Sequence, residues 1–200
     1  MKHQQISLFA SQATPLASPS MPEGFRYTAD VIDAAEEQRL AAAFAGLPFK
    51  EFEFHGFLGK RRVVSFGHRY DFNGGGLKEA EPMPQFLKPL RERAAAFAEL
   101  SPDRLQHALI TEYQKGTSIG WHRDRPDYGD VIGISLLSSC TFRMRRKAGA
   151  SWQRASLQLP PRSIYLMRGP SREQWEHSIP AVDALRYSIT FRSLRSPPSR

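Results

Sequence analysis

Residues 186–192 read Arg186-Tyr187-Ser188-Ile189-Thr190-Phe191-Arg192, a strict alternation of polar and apolar side chains. A period of two belongs to a β-strand, so Tyr187, Ile189 and Phe191 share one face and Arg186, Ser188, Thr190 and Arg192 share the other. The apolar face requires a core. The polar face has two readings. On an open sheet it meets solvent, and two arginines there mean little. Inside a barrel or sandwich it lines a cavity, where a guanidinium is costly to bury unless an anion meets it. A dicarboxylate would be such an anion.

Upstream of this stretch the chain reads as a series of short strands: 49–57, 62–66, 105–114, 131–137, 141–146, 155–159, 163–166 and 175–179, with 186–194 last. Two segments read as helices. In 30–47 the residues Val31, Ile32, Ala35, Leu40, Ala43 and Phe44 recur at helical spacing, with Thr28 or Asp30 as cap and Gly46 and Pro48 at the end. In 84–100 the apolar face is Phe86, Leu87, Leu90, Ala94, Phe97 and Leu100. Helices and strands do not alternate, which argues against a Rossmann fold. The expected fold is mostly β with flanking helices: a jelly-roll core with the two helices of the N-terminal half packed on one sheet.

Two hundred residues suit one domain with a short appendage. Residues 1–22, rich in Ser, Pro, Ala and Gln, read as a mobile tail, 23–195 as the domain and 196–200 as a frayed end. Cys140 is the single cysteine, which excludes an internal disulfide and a four-thiolate metal site. No apolar run approaches the roughly 20 residues that span a bilayer, and the first 22 residues lack a secretory h-region. The expected location is the cytoplasm, with no membrane partner. The net charge is +8, and all of the excess sits in residues 101–200, which hold 16 bases and 8 acids. A basic half fits a polyanion or an anionic ligand, and equally a solvated basic surface.

Chemistry is concentrated in few residues. In Trp121-His122-Arg123-Asp124 an extended chain places His122 and Asp124 on one face, side by side. Two ligands hold a divalent metal poorly. Of the six histidines, His177 in the strand-rich region supplies a third. Two imidazoles and a carboxylate leave coordination positions open, as in non-haem Fe(II) oxygenases, and zinc accepts the same set. His55, His68 and His107 have no carboxylate at ligand spacing and read as structural or surface residues, His68 being the one that could sit near a substrate.

The order Thr111-Glu-Tyr113-Gln-Lys-Gly116, His122-Arg-Asp124, His177 and Arg186-x-Ser188-x-Thr190-x-Arg192 resembles the AlkB-like Fe(II)/2-oxoglutarate dioxygenases over residues 25–195. The resemblance implies a double-stranded β-helix that uses Fe(II), 2-oxoglutarate and O2. It implies that His122, Asp124 and His177 hold the iron, that Arg186 pairs with the distal carboxylate of 2-oxoglutarate, and that Tyr113 donates a hydrogen bond to it. Arg192 would lie near the keto-acid end or the oxidised centre. Thr111 and Ser188 stand where the family often has Asn, so cosubstrate contacts there would be fewer or water-mediated. The implied activity is oxidative dealkylation of nucleic-acid bases, releasing aldehyde, succinate and CO2. Two alternatives are the same chemistry on a protein or small molecule, and a non-catalytic nucleic-acid-binding protein.

Residues 60–74 resemble the nucleotide-recognition lid of that family. Arg61, Arg62, Phe66, His68, Arg69 and Tyr70 mix bases with aromatics, as expected where phosphates are gripped and a base is stacked. A basic hairpin with its aromatics in the core has the same composition. Arg143, Arg145, Arg146 and Lys147 form a second basic run, with Arg143 and Arg145 on one strand face.

In the tail, Gln5-Ile6-Ser7-Leu8-Phe9 resembles the peptide by which bacterial repair proteins dock on the sliding clamp, with Gln5 setting register and Leu8 and Phe9 filling an apolar pocket. That reading implies a bacterial source, DNA as the polymer and a role in DNA repair. A chance match and a strand packed on the domain are the plain alternatives. The protein is expected to be a monomer.

Overall fold

The structure, a computed structural model, describes residues 21–54, 57–71 and 75–195. The Gln5–Phe9 peptide, His55 and the 196–200 end lie outside the described residues. In chain order the elements are β1 (Phe25–Thr28), α1 (Ala34–Ala45), β2 (Lys50–Phe54), β3 (Phe57–Phe66), β4 (His68–Tyr70), β5 (Leu77–Glu79), α2 (Lys88–Phe97), β6 (Leu105–Tyr113), β7 (Ile119–His122) and β8 (Tyr128–Leu136). Then come β9 (Cys140–Ala148), β10 (Ser151–Leu159), β11 (Ser163–Met167), α3 (Pro170–Glu173), β12 (Glu176–Ile179) and β13 (Arg186–Leu194).

The strands form a seven-stranded sheet in the order β1-β11-β8-β13-β6-β3-β2 and a four-stranded sheet in the order β10-β9-β12-β7. The pairings between these strands are antiparallel, as a jelly roll requires. β4 and β5 pair apart from both sheets. Strand β13 is central in the larger sheet, and its period of two sorts residues between two cores. Tyr187, Ile189 and Phe191 face α1 and α2, where they meet Leu40, Phe44, Leu90 and Ala94. The opposite face looks between the sheets, where Tyr113, Val131, Phe142, Met144, Tyr165 and Ile179 gather. Gly133 is required there: a Cβ on it would stand 2.3 Å from the Tyr165 ring. The expected jelly roll with two helices on one sheet is the observed fold.

Details depart from the sequence reading for local reasons. Thr28 ends β1 and Asp30 sits in a turn at φ +52°, so neither caps α1; Asp33 does, accepting from the Glu36 amide at 2.7 Å. The 84–100 helix is a 3-10 turn at Gln85–Leu87 followed by α2, and Glu99 at φ +57° closes it. Strands β1, β4, β5 and β7 have three or four residues each, too short for periodicity to announce. Met21 and Pro22, assigned to the tail, pack on the domain, Met21 against the inter-sheet core. Among the described residues no helix is long and apolar enough to cross a membrane.

Glu37 fastens α1 to the sheets. Its buried carboxylate accepts from the Leu137 amide at 2.8 Å and from Arg162 at 3.1 Å. Those donors sit at turns where Leu137 and Arg162 adopt φ of +71° and +63°. Glu37→Ala leaves a buried amide without an acceptor and should cost about 2 kcal/mol. Thermal unfolding should fall by about 4–8 °C. An unchanged midpoint would contradict this anchoring role.

Candidate active site

Pairing of β7 with β12 sets His122 opposite His177, with ring centroids 4.2 Å apart. Asp124 follows β7 by two residues, and its carboxylate lies 3.9 Å from His122 Nε2. One donor atom from each of His122, Asp124 and His177 lies within 4.8 Å of the others. His122 Nδ1 is 2.9 Å from the Gly120 carbonyl. A carbonyl only accepts, so Nδ1 carries the proton and Nε2 presents its lone pair toward Asp124. Burial and the neighbouring His122 push the His177 pKa down to about 3, and burial lowers that of His122. Burial acts to raise the Asp124 pKa, but the Arg192 charge first, then the neighbouring His177 and the Arg192 hydrogen bond, hold it well below the carboxylate range. Two neutral imidazoles and one carboxylate are the protonation states a divalent metal needs.

Arg192, 8% exposed, grips Asp124 with Nε at 2.9 Å and Nη2 at 3.4 Å. Its Nη1 is 3.3 Å from His107 Nδ1, and a guanidinium only donates, so His107 accepts there. Burial first, then the Arg192 charge, hold the His107 pKa far below its ordinary value. The Tyr128 ring stacks on His107 at 4.9 Å and lies 5.2 Å from the Arg192 guanidinium.

Ser188, Thr190 and Arg192 line a cavity and Arg186 is 1% exposed, so the polar face of β13 looks inward and not to solvent. Its Nε donates to Ser135 Oγ at 3.0 Å, and its guanidinium lies 5.0 Å from the Tyr113 ring centroid. Nη1 is buried with no hydrogen-bond partner, and among the described residues no carboxylate pairs with this cation. Such a group is costly unless an anion arrives. The cross-strand pairs Arg186–Tyr113 and Ser188–Thr111 keep Tyr113, Thr111 and Ser188 on the same inward face.

The triad lines a cavity of about 1230 Å³. Of the residues expected to contact substrate, Arg61, Arg69 and Tyr70 line it and Arg62, Phe66 and His68 do not. The reason is again the period of two. In β3, Arg61, Val63 and Ser65 face the cavity, while Arg62 pairs with Glu112 at 2.7 Å and Phe66 joins the core beneath the helices. His68 turns its Nδ1 to the Gln106 carbonyl, at 3.3 Å. Arg61 lies 3.7 Å over the Phe52 ring, and Arg125 donates to the Tyr70 hydroxyl at 2.5 Å. His107, Tyr128, Ser135 and Arg125 escaped the sequence reading. For His107 the signal was present: it shares the inward face of β6 with Leu109, Thr111 and Tyr113.

Residues 48–192 match the 2OG-Fe(II) oxygenase superfamily. The chain belongs to that superfamily and is AlkB-like within it. It is 28% identical to the "Alkylated DNA repair protein ALKBH8 homolog" of Arabidopsis thaliana, covering 83% of this chain and 54% of that one. It is 26% identical to the mouse (Mus musculus) "tRNA (carboxymethyluridine(34)-5-O)-methyltransferase ALKBH8", covering 80% of this chain and 24% of that one. The chain thus spans about half, and about a quarter, of these relatives. The solved structure of OsALKBH1 superposes with a TM-score of 0.65 at 13% identity, over 87% of this chain and all of that one, which shows the shared fold. Fe(II), 2-oxoglutarate and O2 are the superfamily's cofactors, and a His-Asp-His set is present in this chain.

Because His107 stays neutral in the fold and titrates near pH 6.5 when unfolded, the unfolded state takes up the extra proton. Stability of the metal-free protein should therefore be full above about pH 6.5 and decline as the pH falls below it. His107→Gln keeps an acceptor for Arg192 but has no proton to bind. Denaturant unfolding between pH 7.5 and 4.5 should show a shallower decline for the variant. Parallel curves would mean that His107 is protonated in the folded protein.

Proposed function

We propose that this oxygenase removes alkyl groups from nucleic-acid bases by oxidation, and that His122, Asp124 and His177 hold its Fe(II). The donor set supports this: two neutral imidazoles and one ionised carboxylate, on one side of a cavity. Arg186 is the proposed partner of the distal carboxylate of 2-oxoglutarate. The orphaned Nη1 is the observation that carries this assignment, because a carboxylate oxygen would satisfy it. Tyr113 would donate its hydroxyl to the cosubstrate, and Thr111 and Ser188 would leave room for it with short polar groups.

When bound, iron with 2-oxoglutarate and O2 supplies the oxidant that hydroxylates an N-alkyl carbon, giving succinate and CO2, and the hydroxylated group leaves as an aldehyde. The chain's own part is placement. Arg192 fixes the Asp124 carboxylate and keeps it ionised, and His107 and Tyr128 fix Arg192. The apolar walls of Val131, Phe142 and Tyr165 keep water from the inner cavity. Around the cavity, apart from the triad and Arg192, the bases Lys50, Arg61, Arg69, Arg123 and Arg125 exceed the acids Glu53, Glu79 and Glu81, and Tyr70 and Trp121 offer rings. That composition suits phosphates and an unstacked base, so a duplex substrate would have to flip its base out.

The Gln5–Phe9 peptide favours DNA. The names of related proteins, among them "RNA demethylase ALKBH9B" of Arabidopsis thaliana, favour RNA as a second reading. Phe66 and His68, turned away from the mouth, favour a third, a protein or small-molecule substrate. Aerobic incubation with Fe(II), 2-oxoglutarate and N-methylated DNA or RNA strands decides, read as succinate and as demethylated base. Succinate formation stimulated by neither strand would overturn the nucleic-acid reading.

Two variants test the assignments. His177→Ala should abolish turnover with the fold intact by circular dichroism. Arg186→Ala should raise the KM for 2-oxoglutarate roughly 10- to 100-fold, the loss of one charge-assisted pair. An unchanged KM would remove Arg186 from the cosubstrate site.

A further inference from the structure

We propose that the outer face of the four-stranded sheet is a docking platform for single-stranded nucleic acid that begins at the cavity mouth and runs across to β10. The proposal rests on the nucleic-acid reading above and extends it to a surface outside the cavity. Trp121 starts the platform. It lines the cavity, and its ring also lies 5.1 Å from the Arg143 guanidinium and 4.4 Å from that of Arg145. Arg145 is in turn 4.3 Å from the Trp152 ring, so one guanidinium stands between two indoles. From β7 to β10 the stripe crosses three interstrand spacings, roughly 14 Å.

The charge on this face is one-sided. Alternation along β9 and β10 places Arg143, Arg145, Lys147, Trp152 and Arg154 together, away from the Phe142 and Met144 core. Glu176 is the acid there, and it is occupied by Arg145 at 2.6 Å. Lys147 and Arg154 are exposed and have no ion pair among the described residues. In the antiparallel register Arg154 stands directly opposite Arg145. Like charges in that position oppose sheet formation. A polyanion lying across them would offset the repulsion.

The aromatic component selects the kind of polyanion. Trp152 is 37% exposed, one of two large apolar side chains left open among the described residues. Arg145 packs on its ring, while the solvent side offers a surface on which an unpaired base can stack. A paired base in a duplex has no free face to give. An acidic peptide would use the bases but leave the indole unused.

The test uses the full chain with an N-methylated trinucleotide, an N-methylated 16-nucleotide strand and an unmodified 16-nucleotide strand. Trp152→Ala should raise the KM for the long methylated strand about tenfold with kcat unchanged, within the range of one lost stacking contact. It should also remove most of the tryptophan-fluorescence quenching caused by the unmodified strand. Lys147→Ala/Arg154→Ala should lower the salt slope of binding by about 1.4, two phosphate contacts on a single strand. Turnover of the trinucleotide, too short to reach β10, should not change in either variant. Equal KM and equal salt slope for the long strand in variant and wild type would overturn the proposal, as would displacement of the strand by polyglutamate at equal charge. If the wild type turned over neither strand, the nucleic-acid reading itself would fall, and the platform with it.

Discussion

The buried pair between Arg192 and Asp124 is the constraint on which the site depends. Arg192 belongs to β13 in the larger sheet, and Asp124 follows β7 of the smaller one, so the contact ties the two layers where they must be aligned. Both groups are almost fully removed from water, at 9% and 8% side-chain exposure. Removal of either charge from water is expensive, and only close geometry with further hydrogen bonds offsets the cost. His107 supplies one such bond, and it can do so only as a neutral ring. The pair therefore orients the carboxylate and keeps it ionised while the flanking histidines remain neutral. A metal centre needs that combination, and an isolated buried Asp would instead take up a proton.

Strand β13 carries two inward arginines that differ in what surrounds them. Arg192 is satisfied inside the protein. Arg186, six residues earlier on the same face, has a serine hydroxyl and an aromatic ring but no anion. A guanidinium so placed costs stability unless an anion meets it. The difference between the two arginines thus comes from what lies opposite: Asp124 in one case, a serine hydroxyl and an aromatic ring in the other.

Much of this was legible from residue order alone. The alternation over 186–192 separated the two faces of the central strand, and the His122–Asp124 spacing put two donors on one side. The jelly roll followed from many short strands and two helices. What escaped depended on partners distant in sequence. Nothing near His107 shows that it will meet Arg192, 85 residues away. The composition of 61–70 fits a recognition surface and equally a basic hairpin with its aromatics in the core, because a strand sends consecutive residues to opposite sides. Arg61 reached the cavity and Arg62 and Phe66 did not. The cap at Asp33 was missed because two earlier candidates, Thr28 and Asp30, had the right chemistry and the wrong backbone.

Arg186 is a buried cation whose Nη1 has no partner among the described residues, and its proposed partner is a carboxylate. The most direct measurement is calorimetric titration of the Fe(II)-loaded protein, without O2, with 2-oxoglutarate and with its analogue in which the distal carboxylate is a neutral amide. The wild type should bind 2-oxoglutarate roughly 10- to 100-fold more tightly than the amide, and Arg186→Met should abolish that preference. Equal affinity of the wild type for both compounds would contradict the account.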